Sequence, residues 1–571
     1  MTVTRILFGS MKRFSRIAFL LFLLALPCLG GTASLAGQSD GDGMPNYSWW
    51  RQERARRQAG INQYVALHHR EFLSFKNAPL AIKQDTLNFV GVQMILFRLF
   101  PVIFPEIWGP PAAQMAKIGL GPDPFDPKSV MPLGAGYHLS NGFTIPGTSK
   151  TVQVNYETLT CMGCHSGGVT TPNGKLIRLI GAPSPIGDYS GTINKTVNDS
   201  RYTAANVVAA LNKEPLGWVY GKRSELAQEK LERALYNAPG GAQFFLDELK
   251  FISNKAVARL DETLLPYTYN VPNSPPFTGP NTIPGQIDVF SFAGASLANP
   301  DVLTPAEMAA AMPAAPAPSD VMTAWMGSDR PAFQWDDSVV NISMRETAAS
   351  LTFVSGEPDA VNQPNLGLSG TFSMRLPSAP YLFDIDASKA RRGAILFKQA
   401  CQQCHAPGNS NLMPPDEAST DPNRADVFTS FIITGLTAEM RAGCLIPSCF
   451  GPGGVQLPDS DVLNPTYSYA SIPLAGIWAS APYLHNGSVP TLYHLIAGDR
   501  PPQFYRGNTT YDQDKVGFTW DRATSPRAVL YDTTQDGHSN TGHTGPVFDG
   551  GIDWKNDPGK LADLLEFLKT Q

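Results

Sequence analysis

Apolar residues along this chain recur at helical spacing far more often than they alternate as they would in a strand. Ile17 to Leu26 is a continuous apolar run behind a basic stretch holding Arg5, Lys12, Arg13 and Arg16. Phe89 to Phe104 is also apolar, but Arg98 and Pro101 interrupt it, which predicts a buried or surface-hugging helix and not a membrane span. A helical block runs from Ala204 to Asn254, with Leu226, Leu231, Leu235, Phe244, Phe245 and Leu249 as its apolar positions. Asp386 to Ala400 repeats the pattern, with Gly393, Ile395, Leu396 and Phe397 leading into Cys401. Pro558 opens a last amphipathic helix that places Leu561, Leu564, Leu565 and Leu568 on one face. Between these lie Pro266 to Pro284, Ala309 to Pro318 and Gly- and Pro-rich loops from about 410 to 555. Such long connections wrap a site or lie exposed. The expectation is a mainly α protein with much loop, long enough for two or three domains.

Two copies of one pentapeptide supply the chemistry. Cys161-Met162-Gly163-Cys164-His165 and Cys401-Gln402-Gln403-Cys404-His405 both read C-x-x-C-H, the attachment sequence of a c-type haem. Two thiols three residues apart can form thioethers to the two vinyl groups of one haem, and the next residue offers an imidazole to the iron. With 7 Cys and 9 His in the chain, chance gives about 0.001 such matches. A redox C-x-x-C or half of a zinc site needs no His after the second Cys, and neither explains the repeat. The reading is two covalently bound haem c groups, attached at Cys161, Cys164, Cys401 and Cys404 with His165 and His405 as proximal iron ligands. Calcium is possible beside them, and no motif shows it. Of the other three cysteines, Cys28 lies in the leading segment and leaves with it; Cys444 and Cys449 remain, with a local disulfide as the default in an oxidising compartment.

That compartment follows from the first residues. Basic residues, the short apolar run and Ser34-Leu35-Ala36 before Gly37 make residues 1–36 a signal peptide, with Met11 as a second candidate start. Covalent haem attachment takes place outside the bacterial cytoplasm, so both features point to a periplasmic or secreted protein with no stable membrane span. Removing residues 1–36 takes four basic residues and no acidic ones, moving the formal charge from −5 to −9. So acidic a chain is a poor partner for nucleic acid. It suits a basic electron-transfer partner.

The two proximal histidines are 240 residues apart, more than one cytochrome fold requires. The division expected is a signal peptide over 1–36, an N-terminal haem domain over 37–385 with a helical insertion and Pro-rich loops, and a C-terminal class I cytochrome c-like domain over 386–571. In class I domains the first and last helices cross and close the haem pocket.

The chain resembles the bacterial di-haem cytochrome c peroxidases and, within that superfamily, the secreted di-haem rubber oxygenases. The resemblance is carried by the paired motifs and by Ala481-Pro482-Tyr483-Leu484-His485-Asn486-Gly487-Ser488-Val489-Pro490-Thr491-Leu492, similar to an A-P-Y-x-H-[DN]-G-S-x-x-T-L stretch. Gly537-His538-Ser539-Asn540-Thr541-Gly542-His543 is similar to an N-x-G-H element of the oxygenase branch, and Pro380 to Asp386 and Gly285 to Phe290 also resemble that branch. After His405 the only methionines are Met413 and Met440, neither near the final helix. The resemblance therefore favours His543 as sixth ligand of the second iron. His485 is second candidate, and in the family that motif packs beside the haem. His494 and His538 are the other histidines there. The resemblance also implies an aromatic bridge between the haems, for which Trp335 is the first catalytic candidate and Trp325 the second.

No histidine occurs between His165 and His405, where the peroxidases often hold a displaceable one. His68, His69 and His138 are the remaining candidates. The simplest inference is an open N-terminal iron, which has no purpose in plain electron transport. Three functions stay in play. The first is a peroxidase-like oxidoreductase fed by a small redox protein or other electron donor. The second is a dioxygenase cleaving an apolar olefin, and the third a non-catalytic electron-transfer cytochrome.

Overall fold

The structure is a computed structural model that describes residues 47–77, 92–109, 119–144, 148–185, 189–250, 284–287, 317–339, 342, 345–346, 363–427, 450–451, 455–456 and 463–571. The expected signal peptide, the Cys444–Cys449 pair, Met440 and most of the two Pro-rich loops lie outside them.

The chain enters on α1 (Tyr47–Leu67) and α2 (His69–Asn77). Helix α1 is tied to distant parts of the sequence. Trp50 Nε1 donates to the Phe383 carbonyl at 2.8 Å, Arg51 pairs with Asp384 at 2.7 Å, and Arg57 donates to the Thr570 carbonyl at 2.7 Å. The short strand β1 (Val92–Gln93) leads into α3 (Met94–Ile103), whose first turn is capped by the Gln93 side chain. This is the interrupted apolar run of the sequence. Met94, Ile95, Leu96, Phe97, Leu99 and Phe100 are all at most 1% exposed, so the helix is buried on nearly every face. Arg98 finds a place over the Trp218 ring at 5.0 Å.

A long antiparallel hairpin follows, β2 (Ala135–Thr144) and β3 (Thr151–Leu159), with β1 on the other edge of β3. Little in the residue pattern announces it. From Val154 to Glu157 every residue is buried, so the strand has no polar face to betray its period. The hairpin runs into α4 (Cys161–Cys164), β4 (Ser166–Thr170) and β5 (Leu176–Ile180). The predicted helical block resolves into α5 (Ala204–Leu211), capped by Thr203, then α6 (Leu226–Asn237), then helix over 241–250. Helix α6 lies along β3, and its Glu232 accepts from the Asn155 amide at 2.8 Å and from the Tyr220 hydroxyl. Leu235, Phe245 and Leu249 are buried as expected, while Phe244 is half exposed.

A two-residue pair, β6 (Gln286–Ile287) with β7 (Ser319–Asp320), precedes α7 (Gln363–Met374). Then come α8 (Ala387–Ala400) and α9 (Gln402–His405). The described residues of the last third are mostly loop, organised by β8 (Leu412–Met413), β9 (Tyr469–Ala470), α10 (Leu492–Ala497), β10 (Gln503–Arg506) and β11 (Val529–Asp532), and closed by α11 (Pro558–Leu568). Helices α8 and α11 cross as the sequence predicts. Asp386 caps α8 through the Ser388 and Lys389 amides, and Asp557 caps α11 through the Lys560 amide. The four predicted leucines of α11 are buried, as are Gly393 and Phe397 of α8; Ile395 instead points outward, 69% exposed.

Pro45–Gln571 form one compact unit with two apolar clusters. One is built mainly on α3, the hairpin and α5–α6. The other joins Trp50, Phe75, Met162 and Trp325 to Phe372, Trp478 and the α11 leucines, so a single core spans the boundary drawn at residues 385/386. Small sheets accompany the helices throughout.

Two predictions follow from this packing. A Cβ on Gly393 would lie 1.9 Å from the Asp563 carbonyl oxygen across the α8–α11 crossing. Gly393→Ala should therefore destabilise the protein by on the order of 3 kcal/mol in urea unfolding, since backbone cannot yield cheaply. Burial pushes the Glu232 and Glu248 carboxyls up to about 7. The folded value exceeds the unfolded one, so their contribution is fully present below about pH 4.5 and is lost as pH rises through about 7. Glu232→Gln should flatten that fall, worth about 1–3 kcal/mol between pH 5 and 8.

Candidate haem sites

The first C-x-x-C-H sits where the hairpin ends. Strand β3 delivers the chain to Thr160, α4 makes one turn, and the His165 amide closes it on the Cys161 carbonyl at 2.9 Å. The turn is held from below by Gly134, whose added Cβ would meet the Gly163 backbone at 2.7 Å. His165 is 7% exposed. Its Nδ1 is buried without a hydrogen-bond partner, the Met322 backbone lies beside the ring, and its Nε2 lies 3.2 Å from Arg345 Nη2. Burial, with help from the Arg345 charge, pulls the imidazole down to about 3, so the ring is neutral and has a lone pair to give. Burial pushes the Cys161 thiol up to about 12 and Cys164 to about 11. A redox C-x-x-C works the opposite way, by a lowered thiol. Among the described residues no three His, Cys, Asp or Glu side chains gather as a metal-ion site, which leaves the zinc reading without its remaining ligands.

The other walls of this site were not legible as site residues. Ser369 of α7 puts its hydroxyl 3.9 Å from Cys161 Sγ. Arg345 pairs with Glu346 at 2.7 Å, and Glu346 is 3% exposed. Phe75 of α2 brings its ring to 6.4 Å from that of His165. His68 and His69 stand on Tyr64 and Phe72 and meet no haem-motif histidine; His138 lies on β2, its ring outside the described side chains.

The second motif continues α8. Cys401 ends that helix and α9 carries Cys404 and His405. His405 Nδ1 lies 2.8 Å from the Ile472 carbonyl. That bond fixes the tautomer and leaves Nε2 as the free ligand nitrogen. Opposite it stands His543, ring centre to ring centre 6.2 Å. Two imidazoles sharing one metal, each with a bond of about 2 Å and a ring radius of about 1.1 Å, are separated by about 6 Å. The spacing fits a haem iron held by both. His543 sits in the left-handed region at φ 54° and follows Gly542, where any Cβ would strike Thr420. Burial, then the neighbouring His405 and Arg500, hold His543 down at about 3, so it too is a neutral donor.

The stretch over 481–492 acts on this loop. His485 stacks on Tyr469, 4.2 Å between centres, and its own carbonyl accepts from the Asp320 amide. Its neighbours do the positioning. Asn486 Nδ2 donates to the Gly537 carbonyl at 3.0 Å and to the Ser539 carbonyl at 2.9 Å, and Ser488 Oγ donates to Ser539 as well. They pin the loop that carries His543. His494 bonds Thr491 at 2.7 Å and His538 stacks on Tyr531, so neither approaches His405. Met413 lies in β8, paired with Tyr469.

Residues 317–339 join the two sites. Met322 faces His165, and Gly408, three residues past His405, donates its amide to the Asp329 carbonyl at 2.8 Å. Trp325 is 2% exposed and donates to the Ile180 carbonyl at 2.6 Å. Its indole is pressed between Gly181, whose amide bonds the His165 carbonyl, and Gly476, four residues beyond Ile472. Trp335 donates to the Asp320 carbonyl at 2.9 Å and its carbonyl accepts from the Ala470 amide. Trp325, the second candidate of the sequence, thus packs against Gly181 and Gly476, and Trp335, the first, bonds Asp320 and Ala470.

Comparison with known families meets this geometry at one point. Residues 468–506 match the RoxA-like, cytochrome c-like family. That stretch contains Ile472, Tyr469, His485, Asn486 and Ser488, the residues that orient His405 and hold the His543 loop, and it ends on Arg506. The match links the chain to rubber-oxygenase-like cytochromes and supports covalent haem c. Residues 74–165 match a Y4iN-like domain, which ends on the first proximal histidine. The uncharacterized protein y4iM of Sinorhizobium fredii (strain NBRC 101917 / NGR234) is 37% identical over 279 residues, 44% of this chain and 64% of that protein. The uncharacterized protein y4iJ of the same organism is 30% identical over 268 residues, 38% of this chain and 43% of that protein. The chain spans less than two thirds of either relative.

His543→Ala should convert a low-spin signal of the C-terminal haem to high spin in the electronic and EPR spectra, while His485→Ala should leave it low spin. An unchanged low-spin spectrum in the His543 variant would place the ligand elsewhere.

Proposed function

We propose that this chain is an exported di-haem c-type oxidoreductase in which a closed C-terminal haem exchanges electrons and an open N-terminal haem handles peroxide or dioxygen. The observation that carries it is the contrast between the two proximal histidines. His405 faces a second imidazole at 6.2 Å, whereas His165 faces Arg345 and a phenylalanine ring. Haem c held there would supply one-electron redox chemistry and, at an open axial position, binding of a small oxygen ligand. The protein's part is then to present a neutral His165, to close His405 with His543, and to shield the first site with Phe75 and Phe372. Trp325 stands in the path between them. An electron donor, a small redox protein among them, would feed the C-terminal side.

Within this reading the RoxA-like match favours a dioxygenase acting on an apolar olefin over a peroxidase. Buried Glu346 beside Cys161 is the observation that speaks for peroxide chemistry, because cleavage of bound peroxide needs a group able to carry a proton. Export is supported by the attachment chemistry and the basic, then apolar, first residues. No helix among the described residues is long and apolar enough to cross a membrane.

A pyridine haemochrome assay should give two haems per chain, and Cys161→Ser with Cys164→Ser should leave one. The protein as isolated should bind cyanide, imidazole or dioxygen without prior reduction. Dioxygen binding with negligible peroxide turnover would select the oxygenase; refusal of every ligand in both oxidation states would leave an electron carrier.

A further inference from the structure

Two glutamates of α6, Glu229 and Glu232, are fully enclosed and yet held in opposite ways. Glu229 is paired with Arg233 at 2.8 Å and accepts from the Gly217 amide at 3.0 Å. Glu232 meets no cation among the described residues. It accepts from the Asn155 amide at 2.8 Å, from Gln228 Nε2 at 2.8 Å and from the Tyr220 hydroxyl, whose oxygen takes a bond from Asn155 Nδ2 at 3.0 Å. The helix over 241–250 repeats the arrangement. Its half-buried Glu248 accepts from the Tyr156 hydroxyl at 2.6 Å and likewise has no cation in contact among the described residues.

These two carboxyls join the helical block to the strand that delivers the first C-x-x-C-H. Asn155 and Tyr156 belong to β3, six and five residues before Cys161. Tyr137 of β2 adds a third phenol–carboxyl bond, to Glu225 at 2.6 Å, and its ring lies 5.4 Å from that of Tyr220. A neutral acid suits such a junction, whereas an enclosed carboxylate without a cation is costly. The surroundings add to that cost. Glu157 lies on the same face of β3 as Asn155 and directly across from Tyr137, Glu229 is one turn away on α6, and Asp126 lies near Tyr137. The nearby cations serve Glu229: Arg233 holds it, and Arg98 lies over Trp218 within reach of the charges of Glu214 and Glu229. Tyr236 ties α6 to Gln93 of β1 through neutral groups.

We propose that Glu232, with Glu248, is a proton-operated latch that locks the helical block onto the β2–β3 hairpin when protonated and lets the block lift when the proton leaves. The release is local. The hairpin and α5–α6 share one apolar cluster, and the α11 leucines belong to the other, so the α8–α11 end stays folded while the latch opens. Burial places both carboxyls at about 7, above their unfolded value. The lock is therefore complete below about pH 4.5 and is released as pH rises through about 7. What pH then controls is the freedom of the arm that carries Cys161, Cys164 and His165. The latch stands on the fold alone and holds whether or not a haem is bound there.

The test is hydrogen exchange read by mass spectrometry on the purified full-length protein at about pH 5.5 and about pH 8.5, each peptide corrected for its intrinsic rate. At the higher pH the wild type should lose about ten-fold or more of its protection over 151–159 and 226–250, while 387–400 and 558–568 change by less than about two-fold. Glu232→Gln with Glu248→Gln copies the protonated state and should keep the protection of the block at both pH values. Should the double variant fail to fold, each single Gln variant should show about half of the wild-type change on a logarithmic scale. Tyr236→Phe, which removes a neutral tie, should weaken the block equally at both pH values. Equal protection of the wild type at the two pH values would overturn the proposal. So would a loss that spreads to 387–400 and 558–568, or an undiminished loss in the Gln variants.

Discussion

One buried guanidinium ties this molecule together. Arg506 spends its donors on the Asp320 carboxylate, on the Asn486 and Gly487 carbonyls and on the Pro284 carbonyl, and its plane lies over Tyr531 at 5.2 Å. Asp320 begins the segment that runs past His165 and Trp325, and Asn486 holds the loop of His543. The two sites are thereby registered to one another through a single charge pair. Both partners are almost wholly removed from water, so losing either would strand a buried charge, a cost of about 3–5 kcal/mol. Gly487 is required for the arrangement, because a Cβ there would collide with Arg506 Nη1.

How far the sequence discloses all this depends on the range of the interaction. The attachment motifs, the caps of α8 and α11 and the leucine face of α11 are local patterns, and each is visible in a dozen residues. His543 is proposed from the resemblance of its Gly-rich loop, and its ring lies 6.2 Å from that of His405. The hairpin β2–β3 was hidden by its own burial, since Asn155 and Glu157 are as enclosed as Val154 and Tyr156. Arg345 and Arg500 look like ordinary surface cations in the sequence. Only the fold brings them, from 180 residues and 43 residues away, to His165 and His543. The seat of Trp325 is equally invisible in the sequence, as the glycines that hold it, Gly181 and Gly476, are distant from it and from each other.

The long irregular stretches acquire a purpose in this light. The described residues between His405 and α11 form mostly turns and short strands, yet their carbonyls and amides meet the groups that matter: Ile472 on His405, Gly537 and Ser539 on Asn486, Ala418 on the His543 amide. Loop is the right material for that task. A helix uses its own carbonyls internally, whereas an irregular backbone has them free to orient rings.

The setting of Cys161 and Cys164 carries a consequence for how the protein must be made. A thiol attacks most readily as the thiolate, and folding raises both of these thiols to values at which almost none ionises at neutral pH. Both side chains keep part of their surface open, so the fold slows their chemistry without walling it off. On the haem reading, the thioether bonds at the first motif form most readily on a chain whose thiols still ionise as they do when unfolded. Maturation is then fastest early, and each step of folding makes the attachment slower.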